Sequence, residues 1–305
     1  MALRTPDERF ADLPGYNYAP RYLTVDGGAG NAELRMHYLD EGRQDPDGEV
    51  FLCIHGEPSW CYLYREMIPT LAAHGRVIAP DLIGFGRSDK LTERSEYTYA
   101  MHRATVESLI KQLDLRRITL VCQDWGGLIG LPIAADMPDR FARLVIMNTG
   151  LPVSGKPWSE AFMAWREFAT RSDDLPVGKV LDGATVSKLS PEVVAAYDAP
   201  YPDKTYKVGA IVFPLLVPIS EDAEALPHMR RAAEKFKTWT KPALVMFSDK
   251  DPVTAGGERF FRELIPSAKA EPEITIHDAG HFLQEDKGEE IAERIVEFIQ
   301  RRPLS

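Results

Sequence analysis

The feature that most constrains this chain is an alternation that starts at Val50. Short β-branched and apolar runs at Val50–His55, Arg76–Pro80, Ile118–Cys122, Leu144–Asn148, Ala243–Phe247 and Glu273–His277 read as strands. Stretches with helical spacing lie among them: Ala100–Leu113, Gly126–Asp136 (despite Pro132), Glu258–Leu264 and Glu289–Arg301. Runs at Arg21–Val25 and Glu33–Leu39 precede any helical pattern. A helix between successive strands carries the chain back so that the strands run parallel, and nearly all-apolar strands need cover on both faces. The pattern predicts an α/β fold, a mostly parallel central sheet flanked by helices.

The rhythm breaks between about Gly155 and Pro227, where the chain is proline-rich and no strand–helix alternation persists. Ser159–Thr170 is the clearest helix there. The simplest organisation is a core of residues 1–154 and 228–305 with an inserted helical cap of residues 155–227 lying over the sheet.

Composition narrows the function. Hydrophobic residues at 44% and charged residues at 27% give a globular balance. A net charge of −10 opposes attraction to nucleic acid. The apolar stretch Gly209–Ile219 is too short for a bilayer and holds two prolines, and MALRTPDERF has no apolar signal core. Cys53, Cys61 and Cys122 make an odd set, which suits free thiols in a reducing compartment better than a disulfide framework. A soluble, cytoplasmic, monomeric protein acting on a neutral small molecule is expected, with no nucleic-acid or membrane partner.

The sharpest motif is Gln123-Asp124-Trp125-Gly126-Gly127, which joins a strand end to a helix start. Small residues beside a central side chain suit a sharp turn that holds that side chain above the sheet, a nucleophile elbow with Asp in place of Ser. The plainer reading is an Asp that caps the following helix. Two later segments weigh against it. Phe247-Ser248-Asp249-Lys250-Asp251-Pro252 brings a carboxylate to a strand end, and Asp278-Ala279-Gly280-His281-Phe282 brings a histidine to the next. Sites in such sheets lie beyond the carboxyl ends of strands, and nucleophile, acid, histidine is the chain order of α/β-hydrolase triads. Asp251 is favoured over Asp249 because it lies further past the strand, and His281 over His277 because His277 falls inside it. Gly280 interrupts the helix that would make His277 and His281 a metal pair, so no metal or cofactor is expected. His55-Gly56-Glu57-Pro58 follows an early strand; its backbone N–H at Glu57, with that of Trp125, suits an oxyanion hole. His55 itself reads as a structural residue that ties this loop down.

Asp at the elbow changes the chemistry. A carboxylate is ionised at neutral pH and displaces a leaving group from saturated carbon, leaving an ester. His281, oriented by Asp251, would activate water to open that ester at the carboxylate carbon. A halide leaving group needs donors in a dry site, and an indole N–H donates without offering a lone pair. Trp125 follows the nucleophile directly. Trp165 lies on the inserted helix Ser159–Thr170, where plain packing of the cap is the competing explanation.

The segments HGEPSW, PDLIGFGRSDK, QDWGG, SDKDPV and DAGHFLQED, with RTPDERFADLPGY, MHYLDEG and AYDAPYPD, give the chain a resemblance to the haloalkane dehalogenases over nearly its whole length. Glu57 stands where one subfamily carries a halide-binding Asn, and AFMAW ends in Trp165 where another carries a cap Trp. The resemblance implies Asp124 as nucleophile, His281 as base, Asp251 as acid and Trp125 with Trp165 as halide ligands. It implies a small haloalkane, water and a halide ion as partners. It also implies an apolar pocket formed by Leu128, Phe162, Phe168, Phe213 and Pro214. Epoxide hydrolases share the Asp elbow but protonate the epoxide oxygen with two cap tyrosines, for which Tyr197, Tyr201 and Tyr206 are available. A non-catalytic binding protein of the same fold would need no ordered triad.

Overall fold

The β-branched runs pair into one eight-stranded sheet. In the computed structural model, which describes residues 2–28, 33–45 and 47–304, its strands are β1 (Arg21–Asp26), β2 (Glu33–Gly42), β3 (Val50–Ile54), β4 (Arg76–Pro80), β5 (Ile118–Gln123), β6 (Phe141–Met147), β7 (Ala243–Ser248) and β8 (Ile274–Ile276). The spatial order is β8-β7-β6-β5-β3-β4-β2-β1. β1 and β2 pair antiparallel, as do β2 and β4, and every other pairing is parallel. The order reverses at β3, between β4 and β5, and there the carboxyl ends of β3 and β5 lie side by side, Ile54 opposite Cys122. A crevice beyond the strands is expected at that reversal.

Helices α1 (Ile68–Ala72), α2 (Tyr99–Gln112), α3 (Trp125–Asp136), α9 (Gly257–Leu264) and α10 (Leu283–Arg301) link or follow the strands. Between β6 and β7 come α4 (Glu160–Arg171), α5 (Val177–Gly183), α6 (Pro191–Asp198), α7 (Val208–Leu216) and α8 (Leu226–Phe236), with no strand among the described residues. Within this group α4 packs on α7 and α5 on α6, whereas α8 packs on α3 beside the sheet. Helix α3 is buried on nearly all sides, which is why its sequence lacks an amphipathic stripe. No helix among the described residues is long and apolar enough to cross a membrane.

Several boundaries differ from the sequence pattern, and two of the shifts have a visible cause. β6 begins at Phe141 because Arg143 sits inside the strand, 1% exposed, and bonds Glu49 at 2.8 Å and the Arg302 carbonyl through Nε at 2.6 Å. A buried, paired arginine is tolerated where an isolated one would not be. α10 starts at Leu283 rather than Glu289, with non-helical backbone at Lys287 marking a kink between two helical pieces.

Candidate active site

Asp124 occupies the turn between β5 and α3 with φ 50° and ψ −122°, a backbone conformation that costs energy for a side-chain-bearing residue. The surroundings hold it there. Its N–H donates to the Asn148 carbonyl at 2.9 Å, and the Thr149 hydroxyl donates to its carbonyl at 2.6 Å. Space is tight on both sides. A Cβ on Gly56 would lie 2.6 Å from the Asp124 Cβ, and one on Gly126 would lie 1.9 Å from the Ile54 carbonyl oxygen. The Asp124 side chain does not cap α3. Its Oδ1 accepts the Glu57 backbone N–H at 2.8 Å, and its Oδ2 lies 3.4 Å from His281 Nε2.

The strand ends of β7 and β8 bring the rest. His281 Nδ1 lies 2.9 Å from Asp251 Oδ2, and Asp251 also accepts from the Val253 N–H at 2.8 Å and from the Thr254 hydroxyl. Burial alone would depress the His281 pKa, but Asp251 and Asp124 on its two sides overrule that and raise it to about 10. Burial opposes ionisation of Asp251 too, and the imidazolium with the Thr254 and Val253 donors holds its pKa below the ordinary carboxylate value. Asp249 instead faces His277, at 3.4 Å, and Lys250. His55 takes a structural place: its Nε2 accepts the Leu82 N–H at 3.0 Å and its Nδ1 meets the Gly56 carbonyl at 2.8 Å.

Above Asp124 lies a mostly apolar chamber of about 120 Å³. Asp124, Trp125, Trp165, Glu57 and His281 all line it. Leu128 and Phe162 complete part of the wall, as do Trp158, Val180, Ala184, Val217, Val253 and Phe282. Three residues expected at the wall are not there. Phe168 is 50% exposed, because six helical positions after Phe162 turn it about 120° away. Phe213 lies behind the chamber, its ring 4.7 Å from that of Trp125 in an edge contact. Pro214 is buried in α7, its carbonyl accepting from Arg166 Nε at 3.2 Å. None of the cap tyrosines lines the chamber. The Tyr197 hydroxyl is engaged by Glu285, and Tyr201 is fully buried with its hydroxyl unpartnered.

Sequence reasoning overlooked the groups that lock the loops together. Asn148, at the end of β6, donates through Nδ2 to Ser248 Oγ at 2.7 Å and to the Gly280 and His281 carbonyls at 3.0 Å. Gln123 Nε2 donates to the same His281 carbonyl at 3.1 Å. Ser159 caps α4 by accepting the Phe162 N–H at 3.1 Å, and its hydroxyl donates to the Val253 carbonyl at 2.8 Å. A buried Asn at a strand end was the available signal for the first of these. Among the described residues one group has metal-ligand character: His37, Cys61 and Asp81, with ligand atoms within 4.8 Å of one another. The Asp81 oxygens are already taken by the Cys61 and Arg87 N–H groups, each at 2.8 Å, and by His37 Nδ1 at 2.7 Å, so this set staples loops.

Comparison with known proteins agrees with this geometry. Residues 49–288 match the model of the alpha/beta hydrolase fold family. A haloalkane dehalogenase of Psychrobacter cryohalolentis is 53% identical over 302 residues, covering 99% of each chain. One of Mycobacterium marinum is 48% identical over 97% of this chain and 99% of its own. Among solved structures, the tetrameric haloalkane dehalogenase of Paraglaciecola agarilytica superimposes with a TM-score of 0.88 at 45% identity, covering 96% of this chain and 97% of the other. On the fold, the placed elbow and this likeness along its full length, the chain belongs to the haloalkane dehalogenases of the α/β-hydrolase fold.

Proposed function

We propose that the protein hydrolyses small haloalkanes to an alcohol, halide and a proton through a covalent ester on Asp124, beneath a cap domain of residues 155–227. The observation that supports this most directly is the Asp124 carboxylate itself: it leaves α3 uncapped and opens onto an apolar chamber that also holds two indoles. Oδ1 is held by the Glu57 N–H, so Oδ2 is the attacking oxygen. It bonds to the carbon as the carbon–halogen bond breaks, and the halide takes the electron pair. The Trp125 and Trp165 N–H groups receive the halide, and charge-assisted hydrogen bonds of this kind contribute about 1.5–3 kcal/mol each.

Esterification removes the Asp124 charge, one of the groups that hold a proton on His281. The imidazole then gives up that proton to solvent, as the proton of the net reaction, and takes another from water. The resulting hydroxide attacks the ester carbonyl carbon and the Glu57 and Trp125 N–H groups hold the oxyanion; the acyl carbon–oxygen bond then breaks, the leaving oxygen takes the proton of the added hydroxyl, and the alcohol departs with the Asp124 carboxylate and protonated His281 restored. All these groups come from one chain, so the chemistry needs no second subunit. Buried free thiols at Cys53, Cys61 and Cys122 fit a reducing compartment, and we assign the protein to the cytoplasm on that ground.

Neither Tyr197 nor Tyr201 lines the chamber, which favours dehalogenation over epoxide opening, since the latter needs a proton donor at the oxygen. The deciding experiment replaces His281 with Phe and pulses the variant with 1,2-dibromoethane. Mass spectrometry should find a stable alkyl adduct on the Asp124 peptide with one equivalent of bromide released. An unlabelled peptide, or diol from styrene oxide without halide from bromoalkanes in the wild type, would overturn the proposal.

A further inference from the structure

Glu57 contributes its backbone to the site, but its side chain has been given no task. That side chain is 4% exposed and lines the chamber with Asp124, Trp125 and Trp165. Its Oε1 is buried without a hydrogen-bond partner, and no cationic side chain forms an ion pair with it among the described residues. A carboxyl so placed, beside a second carboxylate, resists ionisation. Burial and then the Asp124 charge push its pKa well above the ordinary range, opposed by contact with the Trp165 side chain and by His281. The other titratable group facing it is the Tyr201 phenol, itself held neutral by burial.

Glu57 and Trp165 share the chamber wall, which sets up a competition. An indole has one N–H and no acceptor. That single proton can serve the Glu57 carboxyl or a halide, not both at full strength. A neutral Glu57 is a weak rival and has an O–H of its own to offer an anion. An ionised Glu57 is a strong rival and repels the anion across an apolar space.

We infer that the Glu57 side chain controls halide retention: protonated, it leaves the Trp165 indole to the halide; ionised, it claims that indole and expels the halide. Halide binding is then coupled to a proton on Glu57, and halide and proton depart together. This rests on the reading of Trp125 and Trp165 as the halide pair.

The test is bromide titration by calorimetry between pH 6 and about pH 10, in buffers of different ionisation enthalpy, on the wild type, Glu57→Gln and Trp165→Phe. The wild type should take up protons as bromide binds, with a dissociation constant that climbs about tenfold per pH unit once Glu57 titrates. Glu57→Gln keeps the backbone N–H and a neutral side chain of the same shape. It should bind bromide near the wild type's low-pH affinity, without that climb and with less proton uptake. Any slope left from His281 is common to both proteins. Wild type and Glu57→Gln with parallel pH curves and equal proton uptake would refute the inference while leaving the indole pair intact. Unchanged bromide affinity in Trp165→Phe would refute the indole pair instead. Proton uptake by the wild type needs no variant, so an unstable Glu57→Gln does not block the outcome: zero uptake across the range refutes the coupling.

Discussion

Asn148 donates its side-chain N–H to the main-chain carbonyl of His281 at 3.0 Å, while its own main-chain carbonyl accepts the N–H of Asp124 at 2.9 Å. One residue at the end of β6 thus ties Asp124 and His281 together. The same amide reaches the Gly280 carbonyl and Ser248, so the turn after β5 and the loops after β7 and β8 are tied to one point.

Replacing Asn148 with Ala should therefore damage geometry more than binding. It strands the Ser248 N–H, which donates to Asn148 Oδ1 at 2.9 Å, and takes one donor from each of the Gly280 and His281 carbonyls; a buried group left unpaired costs about 1–3 kcal/mol. The expected result is a lower melting temperature and a fall in kcat that exceeds any change in KM. Steady-state kinetics with 1,2-dibromoethane and thermal melts check it. A variant with native kcat would show that Gln123 and Ser248 suffice to hold the His281 loop.

The His281 ion pairs make stability depend on pH in a defined direction. The folded pKa is raised from 6.5 to about 10, so the folded state binds the proton more tightly than the unfolded chain. The contribution is complete below the unfolded value and is lost as pH rises from there through about 10. Melting temperatures of the wild type should decline over that window, and those of His281→Phe should decline less. Equal slopes would mean the imidazole carries no such proton in the resting enzyme.

Trp158 separates two spaces. It lines the chamber and also a surface cleft beside Leu151, Pro152 and Gly256. Its ring packs edge-on to Phe162, and Gly150 makes room for it, since a Cβ there would fall 1.9 Å from Trp158 Cζ2. Trp158→Ala should join the two spaces and admit longer chains. The ratio of kcat/KM for 1-bromohexane over 1,2-dibromoethane is expected to rise by about tenfold or more, given that each methylene in an apolar pocket is worth about 1–3 kcal/mol. An unchanged ratio would show that chain length is limited elsewhere in the wall.

The sheet was legible because its strands are short, apolar and bounded; β4 lies where the run Arg76–Pro80 places it. The triad positions were legible because each follows such a run. The layer over the site was legible only as helical, with α4 alone placed. Helices α5 and α7 hide in VGKVLDG and VGAIVFPLL, where glycine and proline break the periodic signal. The chamber wall fared the same way. Phe162 and Phe168 look equivalent in the sequence, and only the turn of α4 decides which faces inward. Asn148 escaped notice because its role lies in contacts to chain segments about a hundred residues away.

Ser159 gives α4 an unusual footing. Its hydroxyl holds the first turn of the helix and grips the Val253 carbonyl, while the Val253 N–H bonds Asp251 Oδ1. The root of the helix is thereby anchored to Asp251 through Val253, and Trp165 rides higher on the same shaft. A displacement of α4 that kept this root would move the Trp165 indole and leave Asp251 and His281 in place. Roof and floor of the chamber thus meet at one residue, Val253, bonded to Ser159 through its carbonyl and to Asp251 through its N–H.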